Sequence, residues 1–161
     1  MSETLPVLRV VLVDDAVEIR ELLRFMLDRE PDFTVVAEAA DGAAGVQAVT
    51  DTVPDLVLLD VGMPVMDGME ALRIIRVECP TAVVVMFSAF GDPVRYAREA
   101  VKLGAQGYIR KGDTLSGLTD QLRALVATAR GVGAGSADDS AEAPGRGAPG
   151  DQPDLWRFHD R

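Results

Sequence analysis

Two stretches of this 161-residue chain concentrate groups able to do chemistry. "VDDA" sets Asp14 and Asp15 side by side after an apolar run, and in "LLDVGMPVMDG" Asp60 closes another. Carboxylates held together raise one another's pKa, a cost that a hard divalent cation relieves. Oxygen ligands completed by water suit Mg²⁺, and neither cysteine nor histidine accompanies these acids to suggest zinc. Ser88 ends a later apolar run, "VVVMFS", and Lys111 follows "GYIR". A hydroxyl, an ammonium and a bound Mg²⁺ around one carboxylate are the donors that would cradle the three oxygens of a phosphoryl group, with Asp60 as the nucleophile. Taken singly, the acids are equally ordinary strand-end groups, and Ser88 and Lys111 read first as an ordinary turn residue and surface lysine; their order along the chain joins them.

The elements that must position these groups are legible as periodicity. Val7 to Val13 reads as a strand buried on both faces, "FTVVAEA" from Phe33 as a second with a more polar end, and Asp55 to Asp60 as a third. Ala82 to Ser88 makes a fourth strand and "QGYIRKG" holds a short fifth. Between them lie helical stripes: Ile19, Leu22, Leu23, Met26 and Leu27 within residues 17–29, Val46 and Val49 within 43–51, then Met69, Leu72 and Ile75, then residues 93–103. Leu115, Leu118, Leu122, Leu125 and Val126 mark a final helix. Strands alternating with amphipathic helices predict an α/β fold, a doubly wound, mostly parallel five-stranded sheet of flavodoxin-like order 2-1-3-4-5 with helices on both faces. In that order the first and third strands flank the switch point, where ligands bind at the carboxyl ends of the strands. Asp14, Asp15 and Asp60 are expected there.

Composition narrows the function classes. The net charge is −10, so steering favours cations and basic surfaces and opposes a nucleic-acid backbone. Of 16 basic residues only Lys102 and Lys111 are lysines. Cys79 is the one cysteine, which rules out an intrachain disulfide and suits a small buried hydrophobe. No apolar run approaches a membrane span and "MSETLPV" lacks a signal-peptide layout, so the expected location is the cytoplasm.

With these residues in view, the chain resembles the receiver domain of two-component response regulators. The likeness rests on the acid pair of "VDDAVEIR", on "LLDVGMPVMDG", on Ser88-Ala89 and on "GYIRK", over roughly residues 7–128. The resemblance implies a phosphoprotein of phosphorelay signal transduction, in which Asp60 accepts a phosphoryl group from a phosphohistidine on a sensor histidine kinase or phosphotransfer protein. It implies metal binding in which Asp15 ligates Mg²⁺ directly, Asp14 mainly through water, and the Gly62 backbone carbonyl adds a ligand. It implies self-catalysed phosphotransfer and dephosphorylation at Asp60, without turnover of external substrates. Ser88 and Lys111 would contact the phosphoryl oxygens, with Ser88 and Tyr108 as the switch pair. The face of helix 4, strand 5 and helix 5 would then contact an output protein or a second copy. From the residues alone, Tyr108 is equally a half-buried strand aromatic with its hydroxyl in water. Gly112 stands where many receivers carry proline, a variant resembling receivers fused to LuxR-type DNA-binding domains.

The receiver domain is expected over residues 1–130. Residues 131–161 read as a disordered Gly/Ala/Pro/Asp-rich tail with six acids and three arginines, a net charge of −3. It has no periodicity for a helix-turn-helix, so direct nucleic-acid binding is not expected. Its end, "LWRFHDR", is either a frayed terminus or a docking segment led by Leu155, Trp156 and Phe158; His159 alone cannot build a metal site. Three rival readings fit less well. A haloacid-dehalogenase-like phosphatase needs Asp-x-Asp, and residues 61–69 supply no acid two positions after Asp60. A flavin site needs a Ser/Thr/Gly loop after the first strand, where acids stand instead. A phosphorylation-independent interaction module with the same fold leaves the complete set of acid, hydroxyl and lysine unexplained.

Overall fold

Short runs of four to seven mostly apolar residues suit strands covered on both faces, and the alternation of side chains sorts them into two cores. In the computed structural model, which describes residues 6–89, 93–113 and 115–134, these runs become β1 (Leu8–Val13), β2 (Phe33–Ala39), β3 (Leu56–Leu59), β4 (Val83–Ser88) and β5 (Gly107–Arg110). They form one sheet of order β2-β1-β3-β4-β5 in which every pairing is parallel. The helices are α1 (Val17–Asp28), α2 (Gly42–Thr52), α3 (Gly68–Glu78), α4 (Pro93–Lys102) and α5 (Leu118–Ala134). The expected flavodoxin-like topology is therefore the observed one.

One core gathers Val11, Val13, Val57, Leu59, Val84 and Met86 with residues of α2, α3 and α4. The other gathers Val10, Leu12, Leu56, Leu58, Val85 and Phe87 with α1 and α5. Cys79 is buried in the first, as expected of a small hydrophobe. The edge strands β2 and β5 are less fully covered than the three between them. Strand β2 is half-covered along most of its length, with a register shift opposite Val10/Val11. No helix among the described residues is long and apolar enough to cross a membrane.

Two expectations shift. Leu22 is 41% exposed, because α1 packs on the sheet chiefly through Leu23 and Leu27. The last helix starts at Leu118; Leu115 packs on the core from the preceding turn, and the helix continues past residue 130 to Ala134. The remaining tail, with Leu155, Trp156, Phe158 and His159, lies outside the described residues.

Helix starts set up the rim that matters. Asp41 caps α2 by accepting from the Ala44 amide at 2.8 Å, and Asp67 caps α3 by accepting from Glu70 at 2.9 Å. No side chain caps α1: its N-cap is Ala16, which leaves the Asp14-Asp15 pair at the junction of β1 and the helix for other work.

Candidate functional site

Asp14 follows the last residue of β1 and Asp60 the last residue of β3, on adjacent parallel strands. The ladder continues one residue further, the Asp60 amide donating to the Val13 carbonyl at 2.9 Å, so both side chains leave the sheet at one level. Both are almost wholly buried, at 2% and 3% exposure, while Asp15 is exposed beside them. One oxygen from each of the three carboxylates lies within 4.8 Å of the others.

Lys111 enters from the far side, just beyond β5. Its amide continues the ladder to the Ser88 carbonyl at 3.0 Å, and Asp113 closes the turn onto Arg110 at 3.2 Å, so Gly112 holds this turn without proline. The ammonium lies 2.5 Å from Asp14 Oδ2 and 3.2 Å from Asp60 Oδ2, and 5.9 Å from the centre of the Phe87 ring. One cation thus serves two buried carboxylates. Asp60 Oδ1 receives no hydrogen bond, and the short Asp14–Lys111 approach lacks hydrogen-bonding angles, leaving Asp14 Oδ2 without a proper donor as well. Burial, and next the Asp14 carboxylate, push the Asp60 carboxyl up to about 6 against the pull of Lys111. Buried oxygens without donors, in a cluster of hard oxygen ligands, fit a divalent cation of the Mg²⁺ type.

Ser88 closes β4 and is 1% exposed. Tyr108, on β5 beside Met86, is 3% exposed and hydrogen-bonds with the Ser88 side chain; burial raises its pKa and that hydrogen bond opposes the rise. The alternative of a half-buried ring with its hydroxyl in water is overturned, since β5 packs beneath α4 and the ring joins the core on that face. Gly62 lies exposed two residues after Asp60.

The loop after Asp60 is folded tightly. The Met66 amide reaches back to the Pro64 carbonyl at 2.7 Å across Val65, a β-branched residue at φ 69°. Gly68 is required there: a Cβ would sit 1.9 Å from the Asp60 carbonyl oxygen. The Gly42 amide at the start of α2 donates to Met66 O at 3.1 Å, tying a neighbouring helix to the same loop.

Arg20 on α1, not among the residues expected at the site, also reaches it. Its guanidinium folds back to donate to the Asp14 carbonyl at 2.5 Å, with Nε 3.5 Å from the Glu38 carboxylate. The available signal was position, an arginine in the first turn of a helix that starts directly after the acid pair.

A doubly wound domain with acids from two adjacent strands and a lysine from the outermost, converging at the carboxyl ends, has the acidic site typical of phosphoacceptor, Mg²⁺-binding surfaces in phosphotransfer signalling. The chain belongs to the response regulator receiver domain family, matched over residues 10–123. It is 40% identical over 108 residues to the protein-glutamate methylesterase/protein-glutamine glutaminase of Nocardioides sp., which is 66% of this chain but 30% of that protein. A two-component response regulator of the LuxR family from Aurantimonas sp. superposes with a TM-score of 0.71 at 34% identity, covering 76% of this chain and 86% of that one. CheX-CheY-BeF3-Mg+2 from Borrelia burgdorferi superposes with a TM-score of 0.68 at 28% identity, covering 75% and 90%.

Proposed function

We propose that this chain takes a phosphoryl group from a phosphohistidine of a sensor kinase or phosphotransfer protein onto Asp60, in the cytoplasm. A carboxylate oxygen of Asp60 attacks phosphorus in line with the P–N bond; that bond breaks, the imidazole leaves with its electron pair and takes a proton from solvent, and an acyl phosphate remains on Asp60. Asp14, Asp15 and the Gly62 carbonyl would hold Mg²⁺ with Asp60, Asp14 mainly through water. When bound, the cation neutralises charge shared by the carboxylates and the incoming phosphoryl group. Lys111 holds a phosphoryl oxygen in place of its present carboxylate contact, and the Ser88 hydroxyl supplies a second donor. The Ser88–Tyr108 hydrogen bond favours these two as the switch, since any move of Ser88 toward the phosphoryl group must break or drag that contact. The surface coupled to them is α4–β5–α5, the face for an output protein or a second copy.

The observation that carries this reading is Asp60 Oδ1, buried and without a donor, in a carboxylate cluster beside Lys111. Incubation with acetyl phosphate and Mg²⁺ is expected to add the mass of one phosphoryl group to the parent and none to D60N. Equal labelling of both rejects Asp60 as acceptor. No labelling of either leaves a receiver fold used as a phosphorylation-independent docking module.

A further inference from the structure

Asp14 is held at nearly every polar atom. Its amide donates to the Ala39 carbonyl at 3.0 Å, its Oδ1 accepts from the Ala16 amide at 2.9 Å, and its carbonyl accepts from Arg20 at 2.5 Å. The remaining atom, Oδ2, faces Lys111. The carbonyl is the informative contact, because it belongs to the Asp14–Asp15 peptide unit. A peptide unit is planar, so a guanidinium fixed on its oxygen also fixes the direction in which the Asp15 Cα leaves. Arg20 is itself anchored: its side chain is 16% exposed and its Nε faces Glu38 on β2, a carboxylate shared with Arg24 of α1.

We infer that Arg20 is a positioning residue for the cation site, holding the Asp14–Asp15 peptide so that both carboxylates converge on Asp60. This rests on the reading that the acidic cluster holds Mg²⁺. Electrostatics and positioning make opposite demands on Arg20. As a positive charge beside a cation site it repels Mg²⁺, so its loss would tighten binding. As a clamp on the ligand-bearing backbone it preorganises the site, so its loss loosens binding by about tenfold, the lower range for residues that orient metal ligands.

The test is Mg²⁺ titration of the full chain by isothermal calorimetry, with metal-free melting temperature measured alongside, for the parent, R20A, R20K, E38A and D15N. The Kd for Mg²⁺ is expected to rise about tenfold in R20A. It should recover largely in R20K, which can still donate one hydrogen bond to the same carbonyl, and rise less in E38A, where the clamp loses its anchor. An unchanged or tighter Kd in R20A overturns the inference, as does R20K behaving like R20A. Should R20A fail to fold, an E38A affinity equal to the parent's overturns it instead. The metal reading fails separately, and takes this inference with it, if the parent takes up no Mg²⁺ or D15N binds as tightly as the parent.

Discussion

The two ends of the sheet treat charged residues in opposite ways. At the amino end, several charged and polar groups find partners. Asp55 accepts from the Arg9 amide at 2.8 Å and from Arg130 at 2.5 Å; Arg76 donates to the Ala82 and Pro80 carbonyls; Gln106 accepts from the Val84 amide at 2.8 Å. Arg123 on α5 bridges Asp32, Glu30 and Asp120 at 2.6 to 2.8 Å over the Phe33 ring, stitching α5 to the turn between α1 and β2. At the carboxyl end, two buried carboxylates, Asp14 and Asp60, share one ammonium with Asp15 exposed beside them, and Asp60 Oδ1 has no donor. The first end adds to the stability of the fold, whereas the second draws on it by leaving a buried carboxylate oxygen unsatisfied.

The sharpest way to break this contrast is to remove the ammonium that the two buried carboxylates share. Lys111→Met is expected to slow phosphotransfer about 10²- to 10³-fold, the usual effect of deleting one oxyanion donor. It should also lower the metal-free stability at pH 7 by about 2–4 kcal/mol, because two buried carboxylates lose their counter-charge. Mg²⁺ should restore more stability to K111M than it adds to the parent, as measured by urea denaturation with and without the metal. A variant as stable as the parent in metal-free buffer would mean that the carboxylates do not depend on Lys111.

Asp60→Asn should act in the other direction. In the folded chain the Asp60 carboxyl lies near 6, above its ordinary value of 3.8, so between those values the folded state holds more protons than the unfolded one. Stability from this group is therefore greatest at low pH and falls as pH rises through the window of about 4 to 6. Removing the charge should stabilise the metal-free protein by about 1–3 kcal/mol at pH 7 and by almost nothing near pH 4. Melting curves of parent and D60N across that range decide it. A less stable D60N at pH 7 would mean that Lys111 more than compensates the buried charge and that the two ends behave alike.

At the amino end, Arg123→Ala is expected to cost about 1–2 kcal/mol, for a bidentate, partly exposed network. Because Arg123 holds Asp32 below the usual carboxylate range, that loss should be full near neutrality and fade as pH falls through it. Affinity for Mg²⁺ should stay unchanged. A shifted Mg²⁺ Kd in R123A would connect the two ends and sink the contrast.

Much of this was readable in advance because apolar runs and their order constrain a parallel sheet tightly. Once β1 and β3 are neighbours, Asp14 and Asp60 must meet at the same rim, whatever fills the loops. The missing parts depend on side-chain direction. Leu22 and Leu23 carry equal apolar signals, but only the angle of α1 on the sheet decides that Leu23 goes in. Arg20 reads as a solvated helix charge until the start of α1 is known to within one residue, since only then does its guanidinium reach the Asp14 carbonyl. Tyr108 was open between two rotamers, and the packing of α4 and β5 decides for the inward one.

The smallest and most discriminating effect concerns strain, which both ends contain. Val53 at the end of α2 has φ 47° and Val65 beside the acidic site has φ 69°, each a β-branched residue in the left-handed region. Glycine at either position should relieve about 1–2 kcal/mol of backbone strain and lose part of that gain to a more flexible unfolded chain, for a net gain of about 0.5–1 kcal/mol. The two variants should then part company. Val53 ends a helix and its carbonyl accepts from Arg9, remote from the acids, so V53G should bind Mg²⁺ like the parent. Val65 tightens the loop that carries Gly62, so V65G should weaken Mg²⁺ binding two- to threefold or about 0.4–0.7 kcal/mol, since a looser backbone presents the carbonyl less often in place. Calorimetric titration of both variants separates the cases: equal affinities would make the strain at Val65 an accident of the loop, while a change in V65G alone would tie it to the site.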